Sequence, residues 1–149
     1  DSDSIVGGRG DDSIDGQGGA DVLYAGAGAD TITVADDSFL RIDGGSGEDT
    51  LVFSGGTLDV TAMGHLRIHS IEHFDLSGNG DQHFSIEGFD VQRMHRGGDT
   101  LTVTGETGDQ ATLGGGSWSN NGDTNGDGYT EYSRGAAHIE IHSDVTVSY

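Results

Sequence analysis

Residues 7–15 read GGRGDDSID, and the recurrence of this stretch decides the fold. The next two blocks of nine are GQGGADVLY at 16–24 and AGAGADTIT at 25–33. Each block has aspartate at its sixth place and a large apolar residue at its eighth place. Such a repeat is typical of a solenoid, because a single rung cannot bury its apolar face without another rung stacked on it.

The repeat extends beyond these three blocks in both directions. A further unit, GGSGEDTLV, occupies residues 44–52, and the ten residues 34–43 form an irregular unit without an acidic sixth place. The apolar residues of the series are Ile5, Ile14, Leu23, Ile32, Ile42 and Leu51. Their constant phase makes the pattern specific. Because Asp3 would be the sixth place of a rung whose beginning lies before residue 1, we expect the chain to be a piece of a longer protein.

These phased units resemble the RTX family, the haemolysin-type calcium-binding proteins that bacteria export by type I secretion. The resemblance implies an all-β fold, a right-handed parallel β-roll in which six residues form a turn and three form a short strand. Glycine permits the positive φ angles of such turns, and aspartate supplies hard carboxylate oxygens. Calcium takes six to eight oxygen ligands at about 2.3 to 2.6 Å. Several Ca²⁺ ions are therefore the expected cofactors.

The resemblance also implies ligand sets, with each ion between one turn and the turn two units later. The first turn gives places two, four and six, and the second gives places one, three and six. One set is Gly8, Gly10, Asp12, Ala25, Ala27 and Asp30. A second set is Asp1, Asp3, Gly16, Gly18 and Asp21. A third set is Gly26, Gly28, Asp30, Gly44, Ser46 and Asp49. The turn with Gln17, Gly19 and Asp21 faces the irregular unit, where Asp36 or Asp37 is expected to substitute.

The composition favours an extracellular, calcium-loaded protein. The chain has 26 acidic and 6 basic residues, and the net charge of −20 disfavours nucleic acid and anionic membranes as partners. It has no cysteine and no proline, 28 glycines and 32% hydrophobic residues, which is little material for a conventional core. No stretch has the length of a membrane-spanning helix. We expect a fragment of this kind to be monomeric.

The tripeptide Arg9-Gly10-Asp11 offers a second interpretation, because integrins recognise this sequence. A displayed tripeptide needs to occur only once, however, whereas this one lies inside a phased repeat. We therefore expect Gly10 to contribute its carbonyl to a turn, and we expect no receptor ligand.

After residue 53 the repeat becomes irregular. Turn signals persist at 77–86, 96–105 and 105–115. Apolar alternation predicts short strands in TLDVT, HLRI, IEHFDL and TLTVT. Residues 86–95 are the one predicted helical turn. The closing segment 129–149 predicts a β-hairpin cap. Residues 42–148 resemble a module of very large RTX adhesins. We therefore divide the chain into a calcium-binding β-roll at 1–53 and a β-rich continuation with its cap at 54–149.

Three other groups of residues could bind ligands. Asp123, Asn125, Asp127 and Glu131 match part of a calcium loop, although Arg134 stands where the bidentate acid belongs. Histidines recur every four residues at 65, 69 and 73 and again at 138 and 142, which could suit zinc or nickel. The aromatic residues Trp118, Tyr24, Tyr129, Tyr132 and Tyr149 could stack on sugars. The simpler interpretations are a glycine-rich turn, a hydrated strand face and a packed cap.

No catalytic motif is present: the chain has no cysteine, no G-x-S-x-G and no H-E-x-x-H sequence. The sequence thus predicts a noncatalytic calcium-binding domain of a secreted or surface-held bacterial adhesin, with a surface glycan or protein as a possible partner. The alternatives are the export and folding module of a secreted protease, lipase or epimerase, and a carbohydrate-binding module.

Overall fold

The structure is a computed structural model that describes residues 1–64, 67–78, 80–94 and 100–149. The strands are β1 Ser4–Arg9, β2 Ser13–Gln17, β3 Val22–Ala27, β4 Thr31–Val34, β5 Arg41–Ser46, β6 Thr50–Phe53, β7 Thr57–Asp59, β8 Ile68–His69, β9 His73–Asp75, β10 His83–Glu87, β11 Leu101–Thr104, β12 Gln110–Gly114, β13 Ser119–Gly122, β14 Tyr129–Arg134, β15 Ala137–His142 and β16 Thr146–Ser148. Two short helices are α1 Val60–Met63 and α2 Gly88–Met94.

Successive strands of the repeat alternate between two sheets. Sheet A has the order β1-β3-β5-β8, and sheet B has the order β13-β14-β15-β11-β9-β6-β4-β2. The pairs within the repeat are parallel, and the register joins each rung to the rung two units later, as in Leu23↔Ile42 and Ile32↔Leu51. The predicted all-β parallel β-roll is therefore confirmed.

The apolar eighth places form the interior between the two sheets. Leu23, Ile32, Ile42 and Leu51 are fully buried, and Ile14 is 5% exposed. Burying one such side chain contributes roughly 1.5 to 3 kcal/mol, but only when the next rung covers it. The spacing of these residues is thus the physical reason that the chain winds into rungs.

The irregular unit absorbs its extra residue in the turn between β4 and β5, so the strand register survives. Phe39 takes the place of the missing sixth-place acid and is buried. The Arg67 guanidinium lies 4.8 Å from the centre of the Phe39 ring, and its Nη2 donates to the Asp37 carbonyl at 2.7 Å. An arginine and an aromatic ring therefore occupy a position where the other units have a carboxylate.

Beyond residue 53 the rungs gain a third sheet. Sheet C has the order β16-β12-β10-β7, with parallel pairs throughout, while β9, β11 and β15 extend sheet B. The predicted hairpin is confirmed, since β14 pairs antiparallel with β15 and β13 pairs with β14. Trp118, Tyr132 and Ala137 are buried in this end of the molecule.

Two local predictions need correction. The segment TLDVT is a strand only as far as Asp59, because the Asp59 carboxylate accepts from the Ala62 amide at 3.0 Å and so begins helix α1. The predicted helical turn at 86–95 begins two residues later, at Gly88, because Ile86 and Glu87 pair with β12. His65 and Leu66 of HLRI, and residues 95–99, lie outside the described residues.

Candidate metal centre

The turns that lead from sheet A to sheet B lie above one another, at residues 10–12, 28–30, 47–49 and 70–72. We call this row of turns the first turn edge. Its sixth-place acids make a ladder, in which each carboxylate accepts the backbone amide of the acid before it. Asp30 Oδ1 accepts from the Asp12 amide at 2.7 Å, and Asp49 Oδ1 accepts from the Asp30 amide at 2.9 Å. This ladder fixes one oxygen of each carboxylate.

The second oxygen of each of these aspartates is buried without a partner. Asp12 Oδ2, Asp30 Oδ2 and Asp49 Oδ2 accept no hydrogen bond in the described structure. Asp30 is 1% exposed and Asp49 is fully buried. Such an oxygen is costly to leave unpaired, because it has lost its water and gained nothing in exchange. A cation is the partner that would satisfy all three.

Backbone carbonyls enter the same gap between turns. A Cβ atom at Gly26 would lie 2.1 Å from the Gly8 carbonyl oxygen, and one at Gly28 would lie 2.4 Å from the Gly10 oxygen. The next pair of turns repeats this arrangement, with Gly45 against the Gly26 oxygen at 2.1 Å and Gly47 against the Gly28 oxygen at 1.9 Å. At these four positions glycine is therefore required, since a side chain would enter the space that the oxygens face.

The place-one carbonyl of the second turn completes this cradle. A Cβ atom at Gly7 would lie 2.6 Å from the Ala25 oxygen and 2.7 Å from Asp12 Oδ2. At place three, the Ala27 and Ser46 carbonyls already accept from the Gly10 and Gly28 amides at 2.7 and 3.0 Å. The first and third predicted ligand sets are thus brought together as the sequence predicts, and coordination by each residue stays a prediction.

The negative charges on the first turn edge favour the binding of a cation. Burial raises the pKa of the Asp49 carboxyl, and the neighbouring Asp30 charge raises it further, while the hydrogen bond from the Asp30 amide lowers it. In the described ranges no three His, Cys, Asp or Glu side chains form a metal-binding group. An ion here would be held by two carboxylates together with backbone carbonyls. That all-oxygen donor set fits calcium and does not fit softer metals.

A β-roll whose stacked turns present carboxylate and carbonyl oxygens has the architecture of a calcium-binding solenoid. Residues 1–32 and 41–57 match the family model of the RTX calcium-binding nonapeptide repeat, in four copies, so this part of the chain consists of RTX repeats. RTX repeats bind several Ca²⁺ ions per repeat domain, are generally noncatalytic, and occur in secreted bacterial proteins. These repeats indicate a calcium-binding domain of a secreted protein. No curated protein and no solved structure gives a significant match.

The second predicted ligand set lies on the opposite row of turns. Asp21 Oδ1 accepts from the Asp3 amide at 2.7 Å, and a Cβ at Gly19 would lie 1.8 Å from the Asp1 carbonyl oxygen. These contacts repeat the pattern of the first turn edge. Gly16 differs, because a Cβ there would meet the apolar Leu23 side chain at 2.8 Å. Gly16 therefore leaves room for the Leu23 side chain in the interior.

The two candidate acids of the irregular unit have different positions. A Cβ at Gly18 would lie 2.5 Å from Asp36 Oδ2, so this carboxylate reaches the turn before it. Hydrogen bonds from the Ser38 hydroxyl and amide lower the pKa of Asp36. Asp37 is exposed. Between these two candidates, the geometry favours Asp36.

The carboxylates at 123–131 are used within the chain. Asp123 accepts from the Gly126 and Gly128 amides at 2.6 and 3.2 Å, and Asp127 Oδ1 accepts from the Tyr129 amide at 2.9 Å. The Asn125 amide group donates to Asp127 Oδ2 at 2.8 Å, and Glu131 pairs with His138 at 3.1 Å. These contacts describe the glycine-rich turn before β14, and a bound ion there stays a prediction.

Several described residues of the other two predicted groups have partners within the chain, while His65 lies outside the described residues. His73 Nε2 lies 2.5 Å from the Thr104 hydroxyl, and His142 pairs with Asp144 at 3.6 Å. Trp118 is 5% exposed, and its indole nitrogen donates to the Gly114 carbonyl at 3.0 Å. Trp118 is therefore packed into the cap, as the simpler interpretation expects, and its ring is not exposed for stacking on a sugar. No described helix has the length and apolar character needed to cross a membrane.

The sequence pattern did not identify the side chains that continue the ladder in the irregular rungs after residue 53. Glu72 Oε2 accepts from the Asp49 amide at 2.8 Å on the first turn edge. On the opposite side, Gln82 Oε1 accepts from the Gly56 amide at 2.7 Å, and Asp109 Oδ1 accepts from the Gln82 amide at 2.8 Å. The available signal was position: each lies two residues before an apolar strand residue, as Asp49 lies before Leu51.

The integrin interpretation can be tested with Arg9→Lys. The tripeptide is built into the first turn edge, since the Gly10 amide donates to the Ala27 carbonyl at 2.7 Å and Asp11 Oδ1 accepts from the Ala29 amide at 2.8 Å. We expect Arg9→Lys to leave the calcium midpoint of folding unchanged and both proteins to bind purified integrin only at background. Integrin binding by the wild type that the variant loses would restore the receptor interpretation.

Proposed function

We propose that this chain is a noncatalytic, calcium-dependent domain of a surface-held bacterial adhesin that folds after type I secretion. One observation carries the proposal: three aspartate oxygens are buried without partners in a single row on the first turn edge. Within this proposal residues 1–53 are the calcium-responsive part. Residues 54–149 are a β-rich continuation and cap that keeps the last apolar rung covered.

The adhesin role is supported by the structural use of the acidic residues that the structure describes. They follow the repeat, or they bind backbone amides, as Asp49 and Glu72 do on the first turn edge and Asp109 does on the opposite side. Carboxylates used in this way support the architecture of the described rungs. A domain of this kind suits a stalk or a terminal module whose task is mechanical attachment.

The location of the parent protein distinguishes an adhesin from an enzyme module. Antibodies raised against residues 1–149 should label intact cells of the producing bacterium, with calcium present throughout. Recovery of the antigen only from the medium, attached to a domain with protease, lipase or epimerase activity, would favour the alternative. Cells that do not produce the protein, incubated with purified residues 1–149, serve as the control for nonspecific attachment.

The calcium role is tested by Asp30→Asn, because Asp30 belongs to two predicted ligand sets. Asparagine keeps an oxygen for the Asp12 amide but places an NH₂ group where the unpartnered Oδ2 stands. If two ions are lost at tenfold calcium excess, the fold loses about 3 kcal/mol. Calcium titration followed by circular dichroism should show a higher midpoint for this variant.

The matched control is Asp15→Asn, at place nine of the unit 7–15. Its carboxylate is exposed and accepts from the nearby Gln17 amide at 2.9 Å. We expect its calcium midpoint to stay close to that of the wild type. Equal midpoints for Asp30→Asn and Asp15→Asn would contradict the ligand assignment.

A further inference from the structure

The first turn edge continues beyond the residues that match the RTX repeat. The last matched turn there ends at Asp49, and the next turn is Ser70, Ile71 and Glu72, which joins β8 to β9. Between the positions that pair across the two rungs it has three residues, against six, residues 44–49, in the repeat turn before it, and it has no glycine. Strand pairing nevertheless holds it in register, with Asp43 opposite His69 on one side and Thr50 opposite His73 on the other.

The short turn reproduces the cradle of a repeat turn. A Cβ atom at Gly44 would lie 2.0 Å from the Ser70 carbonyl oxygen and 2.5 Å from Asp49 Oδ2. Gly7 has the same relation to the Ala25 oxygen and Asp12 Oδ2, at 2.6 and 2.7 Å. Ser70 thus stands where place one stands in a true repeat. Its φ of 52° is a left-handed conformation that a non-glycine residue adopts only at a cost.

A carboxylate also occupies the place-six position of the short turn. Glu72 Oε2 accepts from the Asp49 amide at 2.8 Å, as Asp49 Oδ1 accepts from the Asp30 amide one rung earlier. The longer glutamate side chain compensates for the shorter turn. Asp49 itself is fully buried, and its Oδ2 is without a hydrogen-bond partner and faces this cradle.

We propose that Asp49, the Ser70 carbonyl and Glu72 form a further calcium site, which couples the RTX repeats to the irregular second half of the chain. Asp49 then bridges two ions, one shared with Asp30 and one shared with Glu72. The inference rests on the proposed calcium-dependent function. It adds that the row of bound ions on the first turn edge extends one rung past the last repeat, where the added ion anchors β8 and β9.

The test is the number of calcium ions bound by Glu72→Gln, counted by native mass spectrometry in saturating calcium. Glutamine keeps an oxygen for the Asp49 amide, and Gln82 makes that same hydrogen bond in another rung, so the ladder is preserved. The amide has no second oxygen for an ion. We expect Glu72→Gln to bind one ion fewer than the wild type, and Asp49→Asn to bind two fewer.

The matched control is Glu48→Gln, which removes one exposed negative charge from the residue before Asp49. It should retain the wild-type number of ions. If Glu72→Gln also retains that number, Glu72 is only an amide acceptor and this inference is wrong. If the wild type itself binds no calcium, the proposed function fails instead.

A measurement on the wild type keeps the inference testable if the variant does not fold. Carbodiimide-driven labelling of carboxyl groups, located by mass spectrometry, reports which carboxylates calcium protects. Calcium should suppress labelling of Glu72 together with Asp49 and should leave Glu48 reactive. Labelling of Glu72 that is the same in calcium and in magnesium would overturn the site.

Discussion

Removing calcium should unfold residues 7–52, and this is the largest effect that we expect. The aspartates of successive turns repel one another without a cation between them, and glycine-rich turns lose much chain entropy on ordering. Extracellular calcium sites have dissociation constants on the order of 0.1 to 1 mM. At tenfold excess each site adds about 1.4 kcal/mol, so the three predicted sets give roughly 4 kcal/mol. A small domain has about 5 to 15 kcal/mol in all.

Amide hydrogen exchange in chelator, in magnesium and in millimolar calcium measures this effect for each segment. We expect slow exchange of residues 7–52 in calcium only, because magnesium prefers a tight octahedron and keeps its waters. The cap strands β14 and β15, which pair antiparallel without repeat turns, provide the internal comparison. Strong protection of residues 7–52 in chelator would contradict the calcium switch.

The sequence predicts the repeat accurately because each of its signals has one physical cause. The place-eight residues from Leu23 to Leu51 are buried as expected, and the aspartates at 12, 30 and 49 align on one edge. The ten-residue unit does not shift the register, since the burial of Ile42 beside Leu23 fixes the strand and leaves the extra residue to the turn.

The second half could be predicted only in part. Its rungs keep the hydrogen bonds between successive turns, but their sequences no longer match the repeat. Glu72, Gln82 and Asp109 all accept a backbone amide of the preceding rung, yet their turns differ in length and composition. The first strand of the third sheet, β7, ends at Asp59, which caps the start of helix α1. A single N-cap residue is a weak sequence signal for such a change. Position in the ladder, which is a three-dimensional property, identifies these residues.

The glycines of the turns allow a second large effect, in a comparison of Gly26→Ala with Gly8→Ala. Both residues have the same unfavourable backbone angle, with φ of 125° and 124°. A new Cβ at Gly26 would lie 2.1 Å from the Gly8 carbonyl oxygen, whereas a Cβ at Gly8 would meet nothing within 4 Å. Backbone strain of about 1 to 3 kcal/mol is therefore common to both variants.

The difference between these two variants isolates the space between the stacked turns. Gly26→Ala must push the turns apart, at a further cost of roughly 1 to 3 kcal/mol, and it displaces the carbonyl oxygens that face the first predicted ion. We expect Gly26→Ala to remain largely unfolded in millimolar calcium and Gly8→Ala to fold with a modestly raised midpoint. Calcium titration by circular dichroism gives both values. Equal destabilisation of the two variants would mean that backbone strain alone sets the cost, and that the gap between turns holds no ion.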